Sequence, residues 1–139
     1  MNIRLIQLQS YGDERGSLVA LEDHKNIPFT IKRVYYIFDT KEKVIRGYHA
    51  HKKLKQLAIV LKGSCRFKLD DGKEKIDILL DNPAQGLYIE SFIWREMFDF
   101  SEDCVLLVLA DSYYDEADYV RDYDKFLEMV ESNLYSSDM

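Results

Sequence analysis

The segment Arg46-Gly-Tyr-His-Ala-His51 holds two of the three histidines in this chain of 139 residues. In a strand, residues two apart project to the same face, so His49 and His51 stand together, pointing into a barrel if Tyr48 and Ala50 face out. Two imidazoles on one buried face suit a metal site or acid–base catalysis; the plainer alternative is a pair of surface or internally bonded histidines. Close imidazoles resist double protonation, so at least one stays neutral at pH 7 and can accept a proton. Arg15, Arg33, Arg46, Arg66 and Arg95 each fall on or beside a strand-like segment. An arginine fork there can hold phosphate oxygens or a developing oxyanion, or simply face solvent. Tyr35, Tyr36 and Tyr48 lie near the same strands, where one of them can donate a hydrogen bond or proton while the others pack.

The elements that must position these groups are short strands. Alternating, β-branched or aromatic runs occur at residues 2–9, 17–22, 31–39, 47–51, 56–62, 65–69, 74–80, 86–90, 93–100 and 104–110. Asp70-Asp71-Gly72 and Lys62-Gly63-Ser64 supply hairpin turns, and Asp81-Asn82-Pro83 a loop. Such spacing predicts an all-β sandwich or barrel in a single domain over residues 1–139. From Asp115 the period changes: Tyr119, Val120, Tyr123, Phe126, Leu127 and Val130 recur at helical intervals, and Asp115, Glu116 and Asp118 suit the positive end of a helix. An amphipathic C-terminal helix over 115–131 is expected to pack on the sheets. The runs 56–61 and 104–110 are apolar on both faces. Either a subunit interface covers the second face, or another segment of the same chain does.

The formal charge of −6, with 47% hydrophobic and 32% charged residues, describes an ordinary globular chain and excludes a disordered one. Acidic residues gather late in the chain, which disfavours a nucleic-acid partner, and no apolar run reaches membrane-spanning length. Cys65 and Cys104 lack CxxC spacing and read as buried thiols of a reducing, cytoplasmic compartment.

The glycine before His-x-His, followed by Pro83-Ala-Gln-Gly86, resembles the two signature motifs of the cupin superfamily. In metal-binding cupins a glutamate and a further histidine complete the ligand set; the corresponding positions here are Gln56 and Arg95. An arginine brings a fixed positive charge and no lone pair, so no bound metal is expected. A longer set of segments, including Ile31-Lys-Arg-Val-Tyr-Tyr-Ile37, Arg46-Gly-Tyr-His-Ala-His-Lys52, Trp94-Arg-Glu-Met97 and Tyr113-Tyr-Asp-Glu116, closely resembles the bacterial sugar 3,4-ketoisomerases from about residue 10 to 127.

The resemblance implies a cofactor-free cupin jelly roll that binds a dTDP-sugar. It would move the carbonyl of dTDP-4-keto-6-deoxyglucose from C4 to C3 through an enediol. The product would serve a pyridoxal-phosphate aminotransferase making 3-amino-3,6-dideoxyhexoses for surface polysaccharides. The resemblance further implies a homodimer with exchanged N-terminal strands. His49 would be the base at C3, with His51 assisting proton delivery or holding sugar oxygens. Tyr36 and Arg46 would orient the hexose or stabilise the enediolate, and Arg15, Arg33, Arg95 and Gln56 would bind substrate. The galacto-producing branch pairs Arg at position 15 with His in a Trp-His-Glu-Met motif, and the gluco-producing branch pairs Tyr with Arg. Arg15 together with Arg95 takes one feature from each, leaving the C4 configuration open. A non-catalytic nucleotide-sugar-binding cupin and a metal-dependent cupin enzyme are the rival readings.

Overall fold

A computed structural model describes residues 1–137, and side chains as far as residue 132. The expected single domain therefore extends two residues beyond what is described. Along the chain run β1 (Ile3–Gln7), β2 (Ser10–Asp13), β3 (Gly16–Val19), β4 (Arg33–Ile37), β5 (Arg46–His51), β6 (Gln56–Lys62), β7 (Cys65–Asp70), β8 (Lys75–Leu80), β9 (Gln85–Ile89), β10 (Trp94–Phe98), β11 (Val105–Ala110), β12 (Tyr119–Val120) and α1 (Tyr123–Ser137). One antiparallel sheet has the order β1-β9-β6-β11-β4 and a second the order β12-β5-β10-β7-β8. Hairpin β2–β3 pairs with neither. This is the expected all-β jelly roll with a C-terminal helix.

The period of two along each strand sorts side chains into three apolar layers. Ala58, Val60, Phe67, Leu69, Leu87, Leu106 and Val108 fill the space between the sheets. The alternate residues Leu57, Ile59 and Leu109 point outward and pack under Leu8, Ile27 and Phe29. The doubly apolar runs are thus covered from within the same chain, by Leu8 after β1 and by the segment that follows β3. On the other sheet Ala50, Trp94 and Val120 lie beneath Phe126 of α1.

The helix begins at Tyr123 and not at Asp115. Asp122 caps it, its carboxylate accepting the Lys125 N–H at 3.1 Å. Asp115 caps only a 3₁₀ turn over Glu116–Asp118. Tyr119 and Val120 then join the sheet beside β5, opposite His51 and Ala50. An aromatic and a β-branched residue are favourable strand formers, and here cross-strand pairing outweighs helical spacing.

Candidate active site

A bulge in β5 sets the site. Arg95 pairs with His49 and Glu96 with Gly47, so Tyr48 is the extra residue on β5. Gly47 and Tyr48 both have positive φ, +96° and +58°. A Cβ on Gly47 would stand 2.7 Å from the Arg95 carbonyl oxygen, so only glycine allows this approach. Past the bulge, His49, His51 and Arg95 share the inner face, while Ala50 is buried against the helix and Tyr48 is exposed.

The two imidazole rings meet edge to face with centroids 4.9 Å apart, and Tyr119 lies 4.4 Å from His51 and 4.9 Å from His49. His49 Nδ1 is 3.1 Å from the Gly47 carbonyl oxygen, and His51 Nδ1 is 3.2 Å from Asp118 Oδ2. Arg95, only 2% exposed, donates through Nη1 to Gln56 Oε1 and through Nη2 to the Ile93 carbonyl at 3.0 Å. Gln56 in turn donates to the Tyr35 hydroxyl at 3.0 Å, so the chain of bonds crosses from one sheet to the other. Arg95 Nε, Arg33 Nε and His51 Nε2 are buried without a hydrogen-bond partner among the described residues.

Burial, reinforced by the Arg95 charge, pushes the His49 imidazole down to about 4 and that of His51 to about 2. Both rings are therefore neutral at pH 7 and can accept a proton. Burial also pulls Arg95 down to about 10, which leaves it charged. At the rim Arg121 stacks 4.3 Å above Tyr119 and bonds Glu116 at 2.6 Å, and Tyr114 donates to the same carboxylate.

Among the described residues no group of three or more His, Cys, Asp or Glu side chains stands close enough to hold a metal ion. Two imidazoles beside a buried guanidinium do not fit a divalent cation, and no metal chemistry is derived from this site. A recess of about 310 Å³ between Met1, Asp71, Phe92 and Val130 has no histidine or arginine in its lining and offers no comparable chemistry.

Of the residues singled out by sequence, the structure gathers His49, His51, Gln56 and Arg95. Arg33 lies near the rim, its guanidinium 5.4 Å from the Tyr35 ring and 5.7 Å from that of Tyr114. Arg46 is exposed at the start of β5. Arg15 sits in the β2–β3 hairpin, paired with Asp13 at 2.6 Å and not with any residue of the cluster. Tyr36 lies outside this cluster: it is 62% exposed on the outer face of β4. The strand period that turns Tyr35 inward to Gln56 turns Tyr36 outward. Asp118 and Tyr119 were missed because helical spacing hid them; the acidic turn before an aromatic–valine pair is the one local hint.

The sequence matches the model of the FdtA family, described as WxcM-like, C-terminal, over residues 1–131. It is 57% identical over 130 residues to the TDP-4-oxo-6-deoxy-α-D-glucose-3,4-oxoisomerase of Aneurinibacillus thermoaerophilus, covering 94% of both chains. The chain belongs to this family of sugar 3,4-ketoisomerases. Two solved structures are similar over nearly the whole chain. One is the 3,4-ketoisomerase QdtA of Thermoanaerobacterium thermosaccharolyticum, a histidine-to-asparagine variant in complex with TDP-4-keto-6-deoxyglucose, with 47% identity, a TM-score of 0.93 and coverage of 94% of this chain and 95% of that one. The other is the TDP-quinovose 3,4-ketoisomerase WlaRB of Campylobacter jejuni, with 52% identity, a TM-score of 0.88 and coverage of 91% and 98%. Among the described residues no helix is long and apolar enough to cross a membrane.

Proposed function

We propose that this family member converts TDP-4-keto-6-deoxyglucose into a TDP-3-keto-6-deoxyhexose. The observation that carries the reading is a pair of imidazoles, each with Nδ1 beside a fixed acceptor, on a wall that also presents a buried guanidinium. His49 takes the proton from C3, alpha to the C4 ketone, to give an enediolate, and O4 gains the proton that O3 gives up. A proton then returns to C4 as the C3 carbonyl forms. Net, C3 and O3 each lose a proton and C4 and O4 each gain one, so no redox cofactor is required. Arg95 offsets the charge that develops on the enediolate oxygens. Tyr35, which faces inward where Tyr36 faces out, suits orienting the hexose, and Arg33 and Arg46 suit the diphosphate.

Proton NMR of TDP-4-keto-6-deoxyglucose with the protein in D₂O tests the reading. Loss of the C3 proton signal together with a new 3-keto species is expected, and the H4 coupling reads the galacto or gluco configuration. TDP binding without exchange would leave a binding module. His49→Asn is expected to abolish turnover and spare TDP binding; retained turnover removes His49 as the base.

The working unit is proposed to be a cytoplasmic homodimer. β4 is a sheet edge whose outer face exposes Val34 and Tyr36, with Phe38 just beyond it, and the β2–β3 hairpin pairs with no other strand among the described residues and exposes Tyr11 and Leu18. An open edge and an unpaired hairpin are complementary. Exchange of hairpins between two copies would cover both and carry Arg15 to the partner's site.

A further inference from the structure

Asp118 immediately precedes β12, and its two carboxylate oxygens have different partners. Oδ1 accepts the Lys53 backbone N–H at 2.9 Å, and Oδ2 faces His51 Nδ1 at 3.2 Å. The Asp118 carbonyl also accepts the Lys52 N–H at 3.0 Å. The carboxylate is therefore fixed against the turn that ends β5. An ionised carboxylate only accepts, so the proton on the His51 ring must sit on Nδ1. The opposite tautomer would set a lone pair against the carboxylate and bury an unpartnered Nε2–H. In the tautomer that remains, Nε2 carries the lone pair, is buried, and meets no partner among the described residues.

We propose that Asp118 is a positioning residue which locks His51 in the Nδ1–H tautomer, so that Nε2 accepts the hydroxyl proton of the bound hexose and passes it between O3 and O4. This rests on the ketoisomerase reading above. The roles of the two imidazoles then separate: His49 moves the carbon-bound proton and His51 the oxygen-bound one. While His51 holds the proton, the Asp118 carboxylate offsets the imidazolium charge that Arg95 opposes. The proton leaves O3, resides on Nε2 and is delivered to O4, so the ring ends as it began.

The first test needs no variant. In ¹⁵N-histidine-labelled native protein, the His51 ring at pH 6–8 is expected to show a protonated Nδ1 and a lone-pair Nε2; a proton on Nε2 overturns the proposal. Asp118→Asn supplies the second. The amide can still accept from Lys53 through its oxygen but turns an N–H toward His51, inverting the tautomer. kcat is expected to fall on the order of 10²–10⁴-fold, with TDP affinity and melting temperature nearly unchanged and Nε2 now protonated. A variant with inverted tautomer and undiminished kcat overturns the proposal. So does one in which the tautomer is unchanged while folding, TDP binding and kcat fall together, because that marks a purely structural residue. Should the native protein turn over no substrate, the ketoisomerase reading fails while the ring NMR still decides the tautomer.

Discussion

His49 and His51 stand on one strand, yet only His49 has the setting of a base that must approach carbon. It is the less buried of the two, and its Nδ1 rests on a main-chain carbonyl that ring rotation cannot displace. Burial and the nearby Arg95 hold its pKa near 4, below the ordinary 6.5. A base must be unprotonated, so activity is present above that value and is lost as the pH falls through it. kcat/KM should therefore stay level from pH 8 to pH 5 and decline only below, with an acid limb near 4; a limb near 6.5 would mean that the catalytic base is a solvated group. Stability follows the same sign. Below about 6.5 the unfolded chain takes up protons that the folded imidazoles refuse, costing up to about 1.4 kcal/mol per pH unit for each ring. Equilibrium denaturation at each pH separates this loss from loss of the base. The His pair was legible because its spacing of two needs no tertiary knowledge. Asp118 was not, since it meets His51 across 67 positions of sequence. Tyr35 and Tyr36 differ only in strand parity, which becomes visible once Gln56 is placed across from β4.

At the scale of elements, catalysis depends on a local irregularity more than on the regular sheets. The Gly47–Tyr48 bulge makes His49 pair with Arg95 and share its face; without the extra residue the strand would slip by one and turn both imidazoles outward. Gly47→Ala is therefore the informative substitution. Its Cβ would meet the Arg95 carbonyl oxygen at 2.7 Å, in a backbone region that alanine disfavours. A loss of stability on the order of 2 kcal/mol is expected, with turnover falling more than tenfold as the pair is displaced. An alanine variant with native melting and turnover would show that the bulge does not set the site. Strand positions were readable from alternation, since each strand has one or two apolar faces to bury. The hairpin strand β2, Ser-Tyr-Gly-Asp, escaped because it buries no face. The start of α1 was misread for the opposite reason: Tyr119 and Val120 fit a helical stripe, and only their pairing with His51 and Ala50 draws them into the sheet.

At the scale of the whole molecule, exchange of the β2–β3 hairpin would make each site depend on two chains. Arg15 is far more exposed than Arg95 and is tied to Asp13 within a hairpin that no sheet of its own protomer holds. A residue expected to bind substrate but standing outside the cluster is what hairpin exchange would produce, the site of each copy then being finished by the other. Subunit mixing distinguishes this from a site built within one chain. Arg15→Ala and His49→Asn chains, each impaired alone, are unfolded together and refolded in equal amounts. With exchange, one site of every mixed dimer combines His49 from one chain with Arg15 from the other, so activity should recover to about a quarter of the native level, as half the dimers are mixed and half of their sites intact. With a site built within one chain, every site carries one defect and nothing is recovered. Sedimentation of the unaltered protein should show a dimer, and Val34→Lys with Tyr36→Glu, placing charges on the β4 edge, should shift it to monomer and lower turnover with it. A monomer in the native protein, or a fully active charged-edge monomer, would leave Arg15 outside the chemistry.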